Sequence, residues 1–218
     1  MSNRTVTLDH HPPSLHGASL TLRPPLPRDI DDRLRCGRDA EFVRMCGGDA
    51  RQVAPLTIED ARGWYARQRA EPHTWVIDLG GCCIGVARLH HLDRENARAR
   101  YAIGIYDPNA RGHGYGTEAT RLVLRYAFDT LSLHRVDLRV LAFNQQGIAC
   151  YEKCGFRREG IEREGAYIAG RWESDVIMSI LEDEFRKLAP HGFASPHSAQ
   201  LDAERSRTFP PHQASGDA

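Results

Sequence analysis

The chain has no surplus of charge of either sign, because 29 lysines and arginines balance 29 aspartates and glutamates. Without a net field nothing draws it generally to nucleic acid or to a membrane surface, so any preference for an anion has to be built locally. No uninterrupted apolar stretch approaches the ~20 residues of a bilayer span. The segment Met1 to His10 also lacks the apolar core of a secretory leader. Together these absences predict a cytoplasmic protein with neither nucleic acid nor membrane as partner. Metal-ligand spacing is missing too. Cys150 and Cys154 stand one helical turn apart without a second C-x₂-C, and His10-His11 and His90-His91 are adjacent rather than i, i+4. No metal is expected, and Cys36, Cys46, Cys82, Cys83, Cys150 and Cys154 are expected as free thiols. There is no internal repeat.

What is present suits one globular domain with tails: 218 residues, 41% of them hydrophobic. Residues 1–16 are polar and aperiodic and are expected as a mobile arm, 17–189 as the domain, and 190–218 as a disordered tail poor in core-forming residues. Within the domain, Ala18 to Arg23 alternates like a strand, and Pro27 to Met45 has mostly helical spacing. Thr57 caps a helix through Ala70. Two strands, Thr74 to Ile77 and Cys82 to Ala87, form a hairpin, and a polar loop from His90 to Asn96 leads to a strand at Tyr101 to Tyr106. Arg135 to Phe143 is a further strand, and Asn144 caps a short helix to Cys154. Phe156 to Ile161, a charged loop from Glu162 to Arg171, a strand at Val176 to Leu181 and a helix from Glu182 to Leu188 complete the order.

The stretch Asp107-Pro108-Asn109-Ala110-Arg111-Gly112-His113-Gly114-Tyr115-Gly116-Thr117-Glu118-Ala119 organises the rest. A strand stops, turns through three spaced glycines and enters a helix near Thr117, whose apolar stripe is Ala119, Leu122, Val123, Tyr126 and Ala127. First-turn amides have no intrahelical acceptor, the helix dipole is positive there, and glycine removes the Cβ that would hold a phosphate away. A P-loop is excluded because no Lys-Ser or Lys-Thr follows, and a dinucleotide fingerprint because the spacing is G-x-G-x-G rather than G-x-G-x-x-G. What is left is Arg-x-x-Gly-x-Gly, Arg111 to Gly116. Taken alone, the glycines suit a plain chain reversal equally well.

A second motif follows in order: Asn144, then a helix carrying Tyr151-Glu152-Lys153-Cys154-Gly155-Phe156. The two together, from about Leu20 to Leu181, resemble the GNAT superfamily of acetyl-CoA-dependent N-acyltransferases. Leu20-Thr21-Leu22-Arg23-Pro24 and Gly170-Arg171-Trp172 are similar to its RimJ/RimL-type branch. The resemblance implies an α+β fold in three α/β layers, with a mixed, mostly antiparallel sheet flanked by helices and two adjacent strands splayed at the CoA site. It implies acetyl-CoA as cosubstrate, with the diphosphate on the main chain of Gly112, His113, Gly114, Tyr115, Gly116 and Thr117 and with Arg111 adding charge. Ile105 and Tyr106 then expose backbone to the pantetheine arm, Asn144 hydrogen-bonds it, and Lys153 belongs to the same cofactor-binding set. Tyr151 lies near the sulfur as general acid.

A thiol of pKa ~8.5 leaves readily, so a phenol that protonates it has modest work to do. The base is harder to place. Many relatives carry a carboxylate on the strand before the loop, whereas here it is Arg98-Ala99-Arg100-Tyr101-Ala102-Ile103, with no acid. Glu162, Glu164 and Glu173 are the substitutes near the C-terminal loop. The expected acceptor is a primary amine, either a protein N-terminus or a small amine; an exposed strand or the Trp172 region leaves room for a homodimer, which no residue pattern demands. The alternative reading is a CoA-binding sensor or interaction protein that keeps the fold without turnover.

Overall fold

The computed structural model describes residues 11–188. Eight strands form one sheet, in the order β1-β2-β3-β4-β5-β6-β8-β7. In chain order they are β1 (Leu15–His16), β2 (Thr21–Arg23), β3 (Thr74–Leu79), β4 (Cys82–Asp93), β5 (Arg98–Ile105), β6 (Arg135–Leu141), β7 (Arg157–Ile168) and β8 (Arg171–Leu181). The helices are α1 (Asp29–Cys36), α2 (Ala40–Met45), α3 (Ile58–Ala70), α4 (Tyr115–Arg125), α5 (Gln145–Lys153) and α6 (Glu182–Leu188). Among the described residues no helix is long and apolar enough to cross a membrane.

Every neighbouring pair in the sheet is antiparallel except β5 and β6. That pair is parallel because the chain between them crosses over through the glycine loop and α4, the connection parallel strands require. Their register stops early: Arg98 faces Arg135, Ala99 faces Val136 and Arg100 faces Asp137, and there it ends. Yet β5 stays paired to β4 as far as Ile105, and β6 to β8 as far as Leu141. The two strands therefore part, each held by its outer neighbour, and a wedge opens between Tyr101–Ile105 and Leu138–Leu141.

Side-chain alternation gives the sheet two buried faces. On one, Trp75, Tyr101, Leu138, Met178 and Ile180 pack with Val123, Leu124 and Phe128 of the α4 segment and Ile148 of α5. On the other, Val76, Cys83, Val86 and Tyr106 pack with Trp64 of α3 and Phe42 of α2. Buried Arg23 ties β2 to β3 and α1, donating from Nε to Asp78 (2.6 Å) and from both terminal nitrogens to Asp29 (2.7 and 2.9 Å). Three charges in that setting are tolerable only because each is paired and hydrogen-bonded.

Several boundaries differ from the sequence expectations. The helix expected over Pro27 to Met45 is two helices: Gly37, at φ 63°, ends α1, and Asp39 starts α2 by accepting from the Phe42 amide (2.8 Å). The expected mobile arm contributes β1, where Leu15 pairs with Leu22 and His16 with Thr21, because β2 otherwise offers an open edge. The polar loop His90 to Asn96 is mostly the end of β4. The charged loop Glu162 to Arg171 is strand for most of its length: β7 and β8 form a long ribbon turning at Ala169-Gly170, interrupted by a bulge between Glu162 and Ala166. Its exposed residues show no one-sided apolar period, which is why spacing alone missed it. Residues 1–10 of the expected arm and the expected tail, 190–218, lie outside the described residues.

Candidate active site

The glycine loop leaves the open end of β5 and delivers the chain to α4. Gly112 and Gly114 hold φ of 81° and 86°, conformations that cost a side-chain-bearing residue energy, and Gly114 is the N-cap. The Gly114 carbonyl accepts the first helical bond, from Glu118 N at 3.0 Å. Among the described residues, the amides from Gly112 to Thr117 meet no protein acceptor. A Cβ built on Gly112 or Gly114 meets nothing within 4 Å, so open space lies beside these donors. Unmatched amides, a helix N-terminus and room beside them make a cradle that fits a diphosphate. The His113 ring is exposed and tilted against Tyr115, at 5.9 Å between centroids, so only its main chain belongs to the cradle.

Arg111 does not extend toward an anion. Its guanidinium bonds the Ile105 carbonyl (3.1 Å), the Tyr106 carbonyl (3.1 Å) and Asp39 (2.5 Å). The Arg111 charge is met within the protein by Asp39, the Ile105 and Tyr106 carbonyls are engaged, and β5 has no β6 partner from Tyr101 onward. The Tyr106 ring turns to the α3 face, where its hydroxyl accepts from Trp64 Nε1 (2.9 Å). Asn144 is likewise committed in part: its Oδ1 caps α5 through Gly147 N (2.8 Å), and its Nδ2 points to the Met45 carbonyl (3.4 Å). Lys153 is exposed near the end of α5, and its carbonyl accepts from Arg121 (3.0 Å).

A cleft of about 830 Å³ runs through the wedge and joins the two faces of the sheet. The loop glycines, Thr117, Asn144, Cys150, Tyr151 and Lys153 line it, together with Arg88, Gln68, Arg139 and Asp175. Tyr151 is 8% exposed and packs edge-on against Tyr101 and Phe156 on the α4 side. Its hydroxyl makes no hydrogen bond among the described residues. Burial, reinforced by neighbouring Cys150, pushes this phenol well above its ordinary range and keeps it protonated. Cys150 is shifted down, first by the neighbouring Cys154 thiol and then by the Thr117 hydroxyl at 3.4 Å.

The three glutamates considered as bases do not reach the cleft. Glu162 pairs with Arg139, Glu164 sits in the bulge at φ 55°, and Glu173 faces Ala166. Two other acids line the cleft, Asp175 and Glu41, and sequence reasoning missed both; Glu41 is engaged by Arg44 (2.9 Å on each oxygen), which leaves Asp175 as the one without a side-chain partner among the described residues. For Asp175 the available signal was an acid immediately before the Val176 to Leu181 alternation. Gln68, Arg88 and Arg139 were missed for want of any local motif.

Residues 19–157 match the family model described as acetyltransferase (GNAT) domain. Spermidine N(1)-acetyltransferase of Escherichia coli (strain K12) is 30% identical over 179 residues, 82% of this chain and 92% of that protein. "Probable N-acetyltransferase YjcK" of Bacillus subtilis (strain 168) is 36% identical over 101 residues, so the chain spans 56% of that relative's length. The crystal structure of spermidine N-acetyltransferase from Vibrio cholerae in complex with CoA and spermine superposes with a TM-score of 0.65 at 23% identity, over 77% of this chain and 98% of that one. A parallel pair that parts beside a glycine-led helix, and a sequence match over most of the domain, lead to one conclusion: the chain belongs to the GNAT acetyltransferases.

Proposed function

We propose that the protein is an N-acetyltransferase of the RimJ/RimL type, moving the acetyl group of acetyl-CoA to a primary amine by direct attack in a ternary complex. The diphosphate sits on the Gly112–Thr117 amides, and the pantetheine arm runs along the open edge of β5 at Tyr101–Gly104. Tyr151 is the general acid. The observation that carries this reading is the Tyr151 hydroxyl, buried, held protonated and without a hydrogen bond among the described residues, on the lining of the cleft between the parted strands.

A neutral amine attacks the thioester carbon, and the departing thiolate takes the phenolic proton, a transfer worth ~10²–10⁴-fold. The acceptor is a protein N-terminus or a small amine such as the polyamine named in two of the relatives. Ionisation weighs on the choice. At pH 7 a lysine-like amine costs about 4–5 kcal/mol to bring in as free base, an α-amine about 1.4.

The test is thiol release from acetyl-CoA against peptides, polyamines and aminoglycosides, with wild type and Tyr151→Phe side by side. The variant is expected to lose about 10²-fold or more in kcat while calorimetry shows unchanged acetyl-CoA affinity. A wild type that binds acetyl-CoA but turns over no amine identifies a CoA-binding sensor instead.

A further inference from the structure

The acid in this site has a position on the cleft, and the base does not yet have one. Cross-strand pairs share a face of the sheet, and that rule locates Asp175. It pairs with Leu141, whose side chain lies near Gly47, just past α2. Val176, Met178 and Ile180 point the other way, into the core beneath α4. Asp175 therefore stands on the α2 face, Tyr151 on the α4–α5 face, and both line the one cleft that passes between β5 and β6. A thioester bound in the wedge would have the phenol toward one face of the sheet and this carboxylate toward the other.

We propose that Asp175 is the general base of the acetyl transfer, accepting the proton of the attacking nitrogen on the face opposite Tyr151. This rests on the acetyltransferase reading above. As the amine lone pair closes the C–N bond, the nitrogen becomes cationic and its proton passes to the Asp175 carboxylate. The C–S bond breaks with its electron pair going to sulfur, and the Tyr151 proton goes to that sulfur. Solvent then returns a proton to the phenolate and takes one from Asp175, so the balance is one amine and one thioester to one amide and one thiol.

The neighbours suit the role. Among the described residues the Asp175 carboxylate makes no ion pair or hydrogen bond, its main chain alone being paired in the sheet. Glu162 faces it from β7 and is engaged by Arg139 of β6, so that guanidinium is committed to Glu162. Burial first, and Glu162 second, raise the Asp175 carboxyl, while Arg139 opposes them. A carboxylate raised in this way is a better proton acceptor than a free surface aspartate.

The experiment measures kcat/KM against pH for wild type, Asp175→Asn and Asp175→Glu, with an amine found active in the thiol-release panel. Acetyl-CoA affinity is followed by calorimetry and folding by thermal melt. In wild type the acid side carries the ionisation of the amine plus that of Asp175, so log kcat/KM steepens below the carboxyl pKa. D175N is expected to lose about 10²–10³-fold in kcat/KM and that extra steepening, with acetyl-CoA affinity within about twofold. D175E is expected to recover part of the rate and the steepening, which a packing role for the side chain does not predict. A rate for D175N within about threefold of wild type, or an unchanged acid limb, overturns the assignment. If D175N does not fold, a D175E that folds without the steepening overturns it equally. A wild type that binds acetyl-CoA and acetylates nothing overturns the acetyltransferase reading, and the role with it.

Discussion

Arg111 Nη1 lies 2.5 Å from the Asp39 Oδ1 that also accepts from the Phe42 amide, so a single carboxylate oxygen starts α2 and anchors the glycine loop. The same guanidinium bonds the last carbonyls of β5, at Ile105 and Tyr106. The motif arginine is thus a brace between sheet, loop and α2, its charge met by Asp39. The hydrogen bond from Arg111 also holds the Asp39 carboxyl below its ordinary range.

A brace of this kind needs the forked guanidinium. Arg111→Lys is expected to cost about 1.5–3 kcal/mol of stability in urea unfolding and to weaken acetyl-CoA binding about tenfold. Combining it with Asp39→Asn is expected to cost less than the two changes summed, as partners in one network do. Strict additivity in the double-mutant cycle would show the pairing to be incidental.

Gly114 offers a cleaner separation of binding from folding. No atom lies within 4 Å of a Cβ at this position, but its φ of 86° imposes about 1–2 kcal/mol on any L side chain. Gly114→Ala is expected to lower acetyl-CoA affinity about tenfold or more with only a modest fall in melting temperature. Gly63→Ala is the control: Gly63 lies inside α3 with ordinary contact to Arg67 at 3.4 Å, and the change is expected to stabilise by about 0.5–1 kcal/mol. Unchanged affinity in Gly114→Ala would remove the loop from the binding site.

Cys150 reports on occupancy of the cleft. Its thiol is poised toward thiolate by Cys154 and Thr117, and a Cβ on Gly116 at the first turn of α4 would sit 3.5 Å from its sulfur. Nucleophilic reaction follows the thiolate fraction. Iodoacetamide at pH 7 is expected to label Cys150 ahead of the more exposed Cys46, leaving buried Cys83 and Cys154 untouched. Saturating acetyl-CoA is expected to slow that labelling several-fold. Peptide mapping decides it, and labelling indifferent to acetyl-CoA would place the ligand elsewhere.

Features that depend on a few adjacent residues were legible in the chain itself. The capping box at Thr57 and Asp60, the two-residue turn at Gly80-Gly81 and the glycine entry to α4 are set by local backbone chemistry. Tyr151 was legible because its motif surrounds it. The β7–β8 ribbon was not, since exposed strands carry no one-sided apolar period and are stabilised by a partner brought from elsewhere in the chain.

The amino-acid order alone thus determined a glycine-led helix N-terminus, a phenol one turn from Gly155 and a chain path that forces one parallel strand pair. Only the tertiary structure decided that Arg111 turns inward to Asp39, that the strands part after Arg100 and Asp137, and that Asp175 and Tyr151 line one cleft. The physical reason is range. Caps and turns are settled within a few residues, but the partner of a charged side chain and the width of a gap between strands depend on segments that meet only when the sheet closes.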